Sequence, residues 1–303
     1  CEKISNLIIE DSSNDIFIDL NYHSDYYNKG YGAFSDCPLE TVYMGRTLSY
    51  SASKYDGYSP FYKSETISSI VIGDSVSCIS ENCFKECENL KEITFKNKIP
   101  CYIGANAFDG CIGLTKISLP DNITSIEKGV FAYCSNLSEI SLGNGLTTIG
   151  EKAFQGCSEI QTLVVPENIM SIGNYSFEGC TKIKEVTICD GNAALQVGHN
   201  ADDATHMGAK GLFFDCPLEK VYLGRNLTYG KVNPLDFSPF LGKSNLYSVV
   251  IGNKVVSIGV GAFANCVQLK QITSLNKTPP QVTATTFQGV SGQNATLYVP
   301  KGC

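Results

Sequence analysis

Ala107-Phe108-Asp109-Gly110-Cys111 returns as Ala153-Phe154-Gln155-Gly156-Cys157 and again as Ala262-Phe263-Ala264-Asn265-Cys266. Following the phenylalanine outward gives Phe34, Phe61, Phe84, Phe108, Phe131, Phe154, Phe177, Phe213, Phe240, Phe263 and Phe287. These are separated by 27, 23, 24, 23, 23, 23, 36, 27, 23 and 24 residues. After each comes a run patterned Leu-x-x-Ile-x-Leu, as in Leu114-Thr115-Lys116-Ile117-Ser118-Leu119 and Leu137-Ser138-Glu139-Ile140-Ser141-Leu142. A second apolar pair follows, for example Ile123-Thr124-Ser125-Ile126. Self-similarity at such a period marks a stack of short structural repeats.

The physics of one repeat is readable. Ile117 and Leu119 alternate with Ser118, which makes the end of that run a strand with one buried face. Pro120-Asp121-Asn122, Gly143-Asn144-Gly145 and Pro166-Glu167-Asn168 are turn chemistry that ends it. The Ile-Gly-x-x-Ala-Phe stretch then returns the chain and inserts an aromatic ring into the core. One such repeat cannot cover its own apolar face, so neighbours must stack on it. The expectation is a β-rich α/β solenoid: a right-handed superhelix of about eleven or twelve coils of roughly 23 residues, with parallel strands and a short or irregular convex side. Runs such as Leu90 to Phe95, Ile160 to Val165 and Leu246 to Ile251 should be the strands, with Phe108, Phe131, Phe154 and Phe177 buried and stacked in line.

A longer period lies over the first. Cys37-Pro38-Leu39-Glu40-Thr41-Val42-Tyr43-Met44-Gly45-Arg46 matches Cys216-Pro217-Leu218-Glu219-Lys220-Val221-Tyr222-Leu223-Gly224-Arg225 at eight of ten positions, an offset of 179 residues. The offset holds without a gap from Cys1 (matching Cys180) to Gly110 (matching Gly289). Residues 1–303 therefore read as a single solenoid with no second domain, the block 1–179 being repeated in 180–303. The chain opens inside a repeat and closes on the uncapped run Thr296-Leu297-Tyr298-Val299-Pro300, which reads as a section of a longer protein.

The pattern Ile-Gly-x-x-Ala-Phe-x-x-Cys-x-x-Leu-x-x-Ile-x-Leu-Pro resembles BspA-type leucine-rich repeats, found in surface proteins of Bacteroides-like anaerobes. The end of the chain, Pro279-Pro280 through Phe287 to Leu297-Tyr298-Val299-Pro300-Lys301-Gly302, is similar to the final repeat of that family, without the Tyr- and Trp-containing cap that usually follows. The resemblance implies a leucine-rich-repeat superhelix, exported to the extracellular space or anchored at the outer-membrane cell surface. It further implies a non-enzymatic module for adhesion or recognition, whose partner is an extracellular protein or polysaccharide of host or bacterial origin. The alternatives are a structural spacer presenting another domain and, further off, a hydrolase.

Composition argues against a nucleic-acid role. The 23 basic and 30 acidic residues give a net charge of −7, whereas a nucleic-acid binder needs a basic stripe to displace counterions. No apolar run approaches the ~18 residues of a membrane span. No nucleophile constellation is present: Ser51-Ala52-Ser53-Lys54 lacks the partner motifs that give such a string meaning, and neither a phosphate-cradling glycine loop nor a His-Glu pair on a helix occurs. The expectation is no enzyme, no cofactor and a monomer.

Eight cysteines stand three residues after the repeat aromatic: Cys37, Cys87, Cys111, Cys134, Cys157, Cys180, Cys216 and Cys266. They read either as a disulfide framework suited to an oxidising compartment or as a ladder of small apolar side chains in one core niche. Parallel side-chain directions disfavour the disulfide dihedral, and Ser64, Lys243 and Val290 fill the same niche elsewhere, so reduced thiols are expected. Cys78, Cys83 and Cys87 lack the Cys-x-x-Cys knuckle of a zinc site, and repeat register accounts for them. His199-Asn200-Ala201-Asp202-Asp203-Ala204-Thr205-His206 could ligate a divalent ion, but its counterpart Asn21 to Asn28 lacks the pattern, and no metal site is expected.

Tyrosine is unevenly placed, nine of sixteen falling between Tyr22 and Tyr62. The 179-residue offset separates them. Tyr43, Tyr50, Tyr58 and Tyr62 pair with Tyr222, Tyr229, Phe237 and Leu241 and read as scaffold. Tyr22, Tyr26, Tyr27, Tyr31 and Tyr55 pair instead with Ala201, Thr205, His206, Lys210 and Pro234. These five are the candidate ligand-binding residues, because phenol rings in Ser/Gly/Asn-rich loops give contact area at low entropic cost. The outward strand position, held by Thr94, Ser118, Ser141 and Thr187, is small and polar and suits a flat contact.

Overall fold

A computed structural model describes residues 3–18, 34, 37–50, 59–198, 211–229, 238–292 and 295–302. The chain is a parallel-strand β-solenoid whose shorter coils follow one another about every 23–25 residues. It falls into two compact units, Cys1–Leu146 with Ala153–Cys157 and Thr147–Lys152 with Ser158–Cys303.

In the first unit Asn6–Ile9, Thr41–Arg46, Ser69–Ser75 and Glu92–Phe95 form a parallel sheet in that order, and Lys116–Ser118 pairs with Glu139–Ser141. A second parallel stack runs through Cys78–Ile79, Cys101–Ile103 and Ile123–Ile126. The second unit has the same plan. Thr162–Val165, Glu185–Ile188, Lys220–Leu223, Ser248–Ile251, Gln271–Ser274 and Thr296–Tyr298 form a six-stranded parallel sheet, beside a second stack through Thr148–Ile149, Ser171–Ile172, Leu195–Val197 and Leu227–Thr228. Asn6–Ile9, Thr41, Ser69 and Glu92 become Glu185–Ile188, Lys220, Ser248 and Gln271 at the offset of 179, so all four strands of the duplicated block begin at matched positions.

Apart from shifts at Met44/Arg46 and Ile123/Ser125, pairing is in register, so strand positions become rows. Leu163, Val186, Val221 and Val249 stack inward and are buried. The strands begin two residues later than the Leu-x-x-Ile-x-Leu run suggests, at Glu92, Thr162 and Ser248. The leading residue closes the preceding turn instead. Leu90 and Leu246 are buried, and their N–H groups donate to the carbonyls of Cys87 and Lys243, both at 3.1 Å, so they are unavailable to the ladder.

The third side of each coil is built from turns, and no α-helix occurs among the described residues. Left-handed residues flank the repeat phenylalanine at minus two and plus two: Asn82 and Glu86 about Phe84, Asn106 and Gly110 about Phe108, Gly261 and Asn265 about Phe263. That paired reversal of φ drives the ring inward. Within the first unit the centroids of Phe61 and Phe84 lie 4.9 Å apart, those of Phe108 and Phe131 5.5 Å and those of Phe131 and Phe154 5.4 Å. In the second unit Phe177 stacks on Phe213 at 5.9 Å and Phe240 on Phe263 at 5.3 Å. Phe108, Phe131, Phe154 and Phe177 are all fully buried.

The cysteine niche has a bonding role as well as a packing one. The Sγ of Cys87, Cys111, Cys134, Cys157 and Cys266 lies 3.1–3.2 Å from the carbonyl oxygen of the phenylalanine one coil earlier, Phe61, Phe84, Phe108, Phe131 and Phe240 respectively. A thiol is a weak donor, but here it serves the second lone pair of a buried carbonyl. None of the described cysteines is in a disulfide. Asparagine side chains stitch the coils in the same sense, Asn89 Nδ2 donating to the Glu65 carbonyl at 2.7 Å and Asn136 Nδ2 to that of Ile112 at 2.8 Å.

Candidate functional site

The strand sheets turn alternate residues outward, and register converts these into a surface. In the second unit Val164, Thr187, Tyr222, Val250, Thr273 and Tyr298 form one outward row. In the first unit Ile8, Tyr43, Val71 and Thr94 do the same, and Ser118 lies beside Ser141. Thr94, Ser118, Ser141 and Thr187 therefore occupy the outward position that their alternation suggests. The rows are not uniformly small and polar, however. Ile8 is 71% exposed and Val164 55%, and Tyr43 and Tyr222 stand at matched places within the two rows.

Those tyrosines belong to a constellation that occurs twice. The Tyr43 hydroxyl donates to Asp11 Oδ2 at 2.6 Å, and Asp11 Oδ1 accepts the Asp74 N–H at 2.9 Å. In the second unit the Tyr222 hydroxyl donates to Asp190 Oδ1 at 2.9 Å. Two glycines make room. A Cβ on Gly73 would sit 2.7 Å from Asp11 Oδ1 and 2.8 Å from the Tyr43 hydroxyl; one on Gly252 would sit 2.6 Å from Asp190 Oδ1 and 2.9 Å from the Tyr222 hydroxyl. Asp11, Tyr43 and Gly73 map onto Asp190, Tyr222 and Gly252 at the same offset of 179.

Electrostatics follow from this geometry. The bond to Asp11 pushes the Tyr43 phenol up to about 12. Burial, then the bond to Asp190, does the same for Tyr222, also to about 12. Both phenols stay neutral at any physiological pH. The Lys96 ammonium lies 5.6 Å from the centroid of the Tyr43 ring, a cation–π distance.

Among the other paired tyrosines, the Tyr50 hydroxyl donates to the Glu81 carbonyl and that of Tyr229 to the Val260 carbonyl at 2.8 Å. The Tyr62 hydroxyl donates to Glu86 Oε1 at 3.2 Å. Tyr22, Tyr26, Tyr27, Tyr31 and Tyr55 lie outside the described residues, as do Ser51-Ala52-Ser53-Lys54 and the run from His199 to His206. Among the described residues no three His, Cys, Asp or Glu side chains converge to hold a metal ion, and no helix is long and apolar enough to cross a membrane. The Asp partner of each tyrosine escaped sequence reasoning. The signal was present, since Asp11 and Asp190 stand at the offset that pairs Tyr43 with Tyr222.

The family model described as BspA type leucine rich repeat region matches six copies over residues 17–102, 54–184 and 233–300. No curated protein matches the chain. Among solved structures, a leucine-rich repeat protein from Bacteroides ovatus is similar at 20% identity and a TM-score of 0.49, covering 90% of this chain and 87% of that one. The T. pallidum leucine rich repeat protein is similar at 22% identity and 0.41, covering 84% and 83%. A leucine rich cell surface protein from Faecalibacterium prausnitzii is similar at 17% identity and 0.36, covering 94% and 79%. With most of its length matched by that family model, the chain belongs to the BspA-type leucine-rich-repeat family.

Proposed function

We propose that the chain is a non-enzymatic recognition module, secreted or displayed at the cell surface, that binds an extracellular protein or polysaccharide. The observation that carries this reading is the twice-repeated Asp–Tyr–Gly constellation on an outward strand face. A phenol whose hydroxyl is fixed by a carboxylate presents its ring in one orientation, and rigid aromatic area is what recognition surfaces use. The neighbouring outward residues are short, so a partner can lie flat against the rows. Tyr22, Tyr26, Tyr27, Tyr31 and Tyr55 would add contacts peculiar to the first copy of the block, which supports a frame held constant while its decoration varies. A chain of net charge −7 fits a partner other than nucleic acid.

The test is direct binding of the purified chain, immobilised, to a panel of soluble bacterial and host polysaccharides and extracellular proteins. The expected result is saturable binding to at least one class, weakened when Tyr222 is replaced by Ala. Absence of binding across the panel would favour a spacer that holds another domain at a distance.

A further inference from the structure

After Phe240 the niche that holds cysteine in most coils holds Lys243. The amine takes over the work of the thiol: Nζ donates to the carbonyl of Phe213, the phenylalanine of the preceding coil. Lys243 also lines a cavity of about 320 Å³ together with Phe214, Asp215, Pro217, Leu241 and Asn245, the lower end of the size range of small-molecule sites. Gly242 leaves its mouth open. It sits at φ +66, and a Cβ there would meet nothing within 4 Å, whereas the equivalent Gly110 and Gly156 face Glu86 and Tyr133 of the coil before.

The surroundings also decide the protonation of that amine. Burial lowers its pKa, and the facing groups, Cys216, Asp215 and Cys266, offset this only in part. A desolvated lysine amine beside a cavity is a nucleophile for carbonyl carbon. We propose that Lys243 is a covalent capture site for a small aldehyde, held reversibly as an imine. The Nζ lone pair attacks the carbonyl carbon and the C–N bond forms. Both amine hydrogens leave with the carbonyl oxygen as water, so the step consumes no oxidant or reductant. The imine, once protonated, keeps one N–H for the Phe213 carbonyl, so capture preserves the bond that the coil needs.

The duplicated block provides an internal control. The position 179 residues earlier is Ser64, fully buried, whose Oγ has no hydrogen-bond partner. The first copy of the niche therefore has neither amine nor donor reach, and the capture chemistry belongs to the second copy alone. The proposal is independent of the adhesive role, since it concerns a different surface and a different class of ligand.

The experiment uses pyridoxal near neutral pH with cyanoborohydride, which reduces any imine to a stable amine, followed by peptide mass mapping. Lys243 should be labelled several-fold faster than the exposed Lys270 and Lys301. Lys243→Cys installs the residue that other coils use, so the melting temperature should hold while the fast label disappears. Equal labelling of Lys243 and Lys270, or fast labelling that survives in the folded variant, overturns the proposal. Should Lys243→Cys fail to fold, the unmodified chain decides by its pH profile: the labelling rate of Lys243 should level off below pH 10.5, the ordinary lysine value, and levelling there or above overturns the proposal.

Discussion

Cys134 Sγ lies 3.2 Å from the carbonyl oxygen of Phe108, an oxygen that also accepts the N–H of Cys111 at 3.2 Å. One buried carbonyl thus ties its own turn to the next coil. The long C–S bond is what lets so short a side chain span that gap. Ser64 shows the consequence of shortening it, since its Oγ sits in the same niche, buried and without a partner.

Cys134→Ser should therefore be no milder than Cys134→Ala, despite its better donor. A buried hydroxyl without a partner costs ~1–3 kcal/mol, comparable to the small cavity that Ala would leave. Urea unfolding of both variants measures this. A serine variant as stable as the parent would mean the hydroxyl reaches the Phe108 carbonyl and the bond length is immaterial.

Thiol chemistry should divide the cysteines by depth. Burial pushes Cys87 and Cys216 up to about 12 and Cys266 to about 11, while Cys189 alone among the described cysteines is half-buried rather than buried. Alkylation of the native protein should map first to Cys189 among these positions, and a titration of denatured, unreduced protein should recover most of the 14 thiols. Recovery near zero would require a disulfide framework in its place.

Sequence periodicity carried the coil, its aromatic spine and the duplicated block because each depends on side-chain burial, which leaves a period in the chain. What it could not carry was whatever depends on distance between coils. The Asp11–Tyr43 bond joins residues 32 apart, and only the 179-residue offset, which sets Asp11 against Asp190 as it sets Tyr43 against Tyr222, marks the pair. The strand starts were misplaced for a related reason: Leu90 is as apolar as any strand residue, yet its N–H closes a turn. Lys243 was visible as an exception in the cysteine column, but its cavity depends on Gly242 facing open space.

The glycines of the repeated constellation should be intolerant of a methyl group. Gly73→Ala and Gly252→Ala each place a Cβ within 3 Å of a carboxylate and a phenol oxygen, and overpacking of this kind costs ~1–3 kcal/mol. Gly292→Ala, where a Cβ meets nothing within 4 Å, is the matched control. Equal melting temperatures for all three would show that the strand face yields freely.

Alkaline pH should weaken the fold through the same constellation. Tyr43 and Tyr222 rise from an ordinary value of 10.0 to about 12 when folded. A group that holds its proton more tightly in the folded state contributes its full stabilisation below the unfolded pKa and loses it as pH climbs to the folded one. Stability should decline between pH 10 and about 12. The double variant Tyr43→Phe with Tyr222→Phe should decline less steeply than the parent in urea titrations across that window. Parallel curves would assign the loss to other groups held protonated by the fold, the buried thiols and Tyr229 among them.

Two surfaces compete for the partner, and one pair of variants separates them. Ser141→Arg and Thr187→Arg place a long charged side chain on the outward strand rows without touching the core, since Ser141 is exposed and Thr187 half-buried. If the rows carry recognition, these variants should abolish binding while melting as the parent does, because surface substitutions away from special features change stability by ~0.5 kcal/mol or less. Tyr26→Ala with Tyr27→Ala tests the insertion instead. Anchoring aromatics at an interface are often worth more than ~1 kcal/mol each, so an unchanged melt with weakened binding would place the anchor there. A markedly lower melt would make those rings support for their own segment, a buried aromatic costing ~3–5 kcal/mol on truncation. Binding that survives all four substitutions would exclude both surfaces as the site of adhesion.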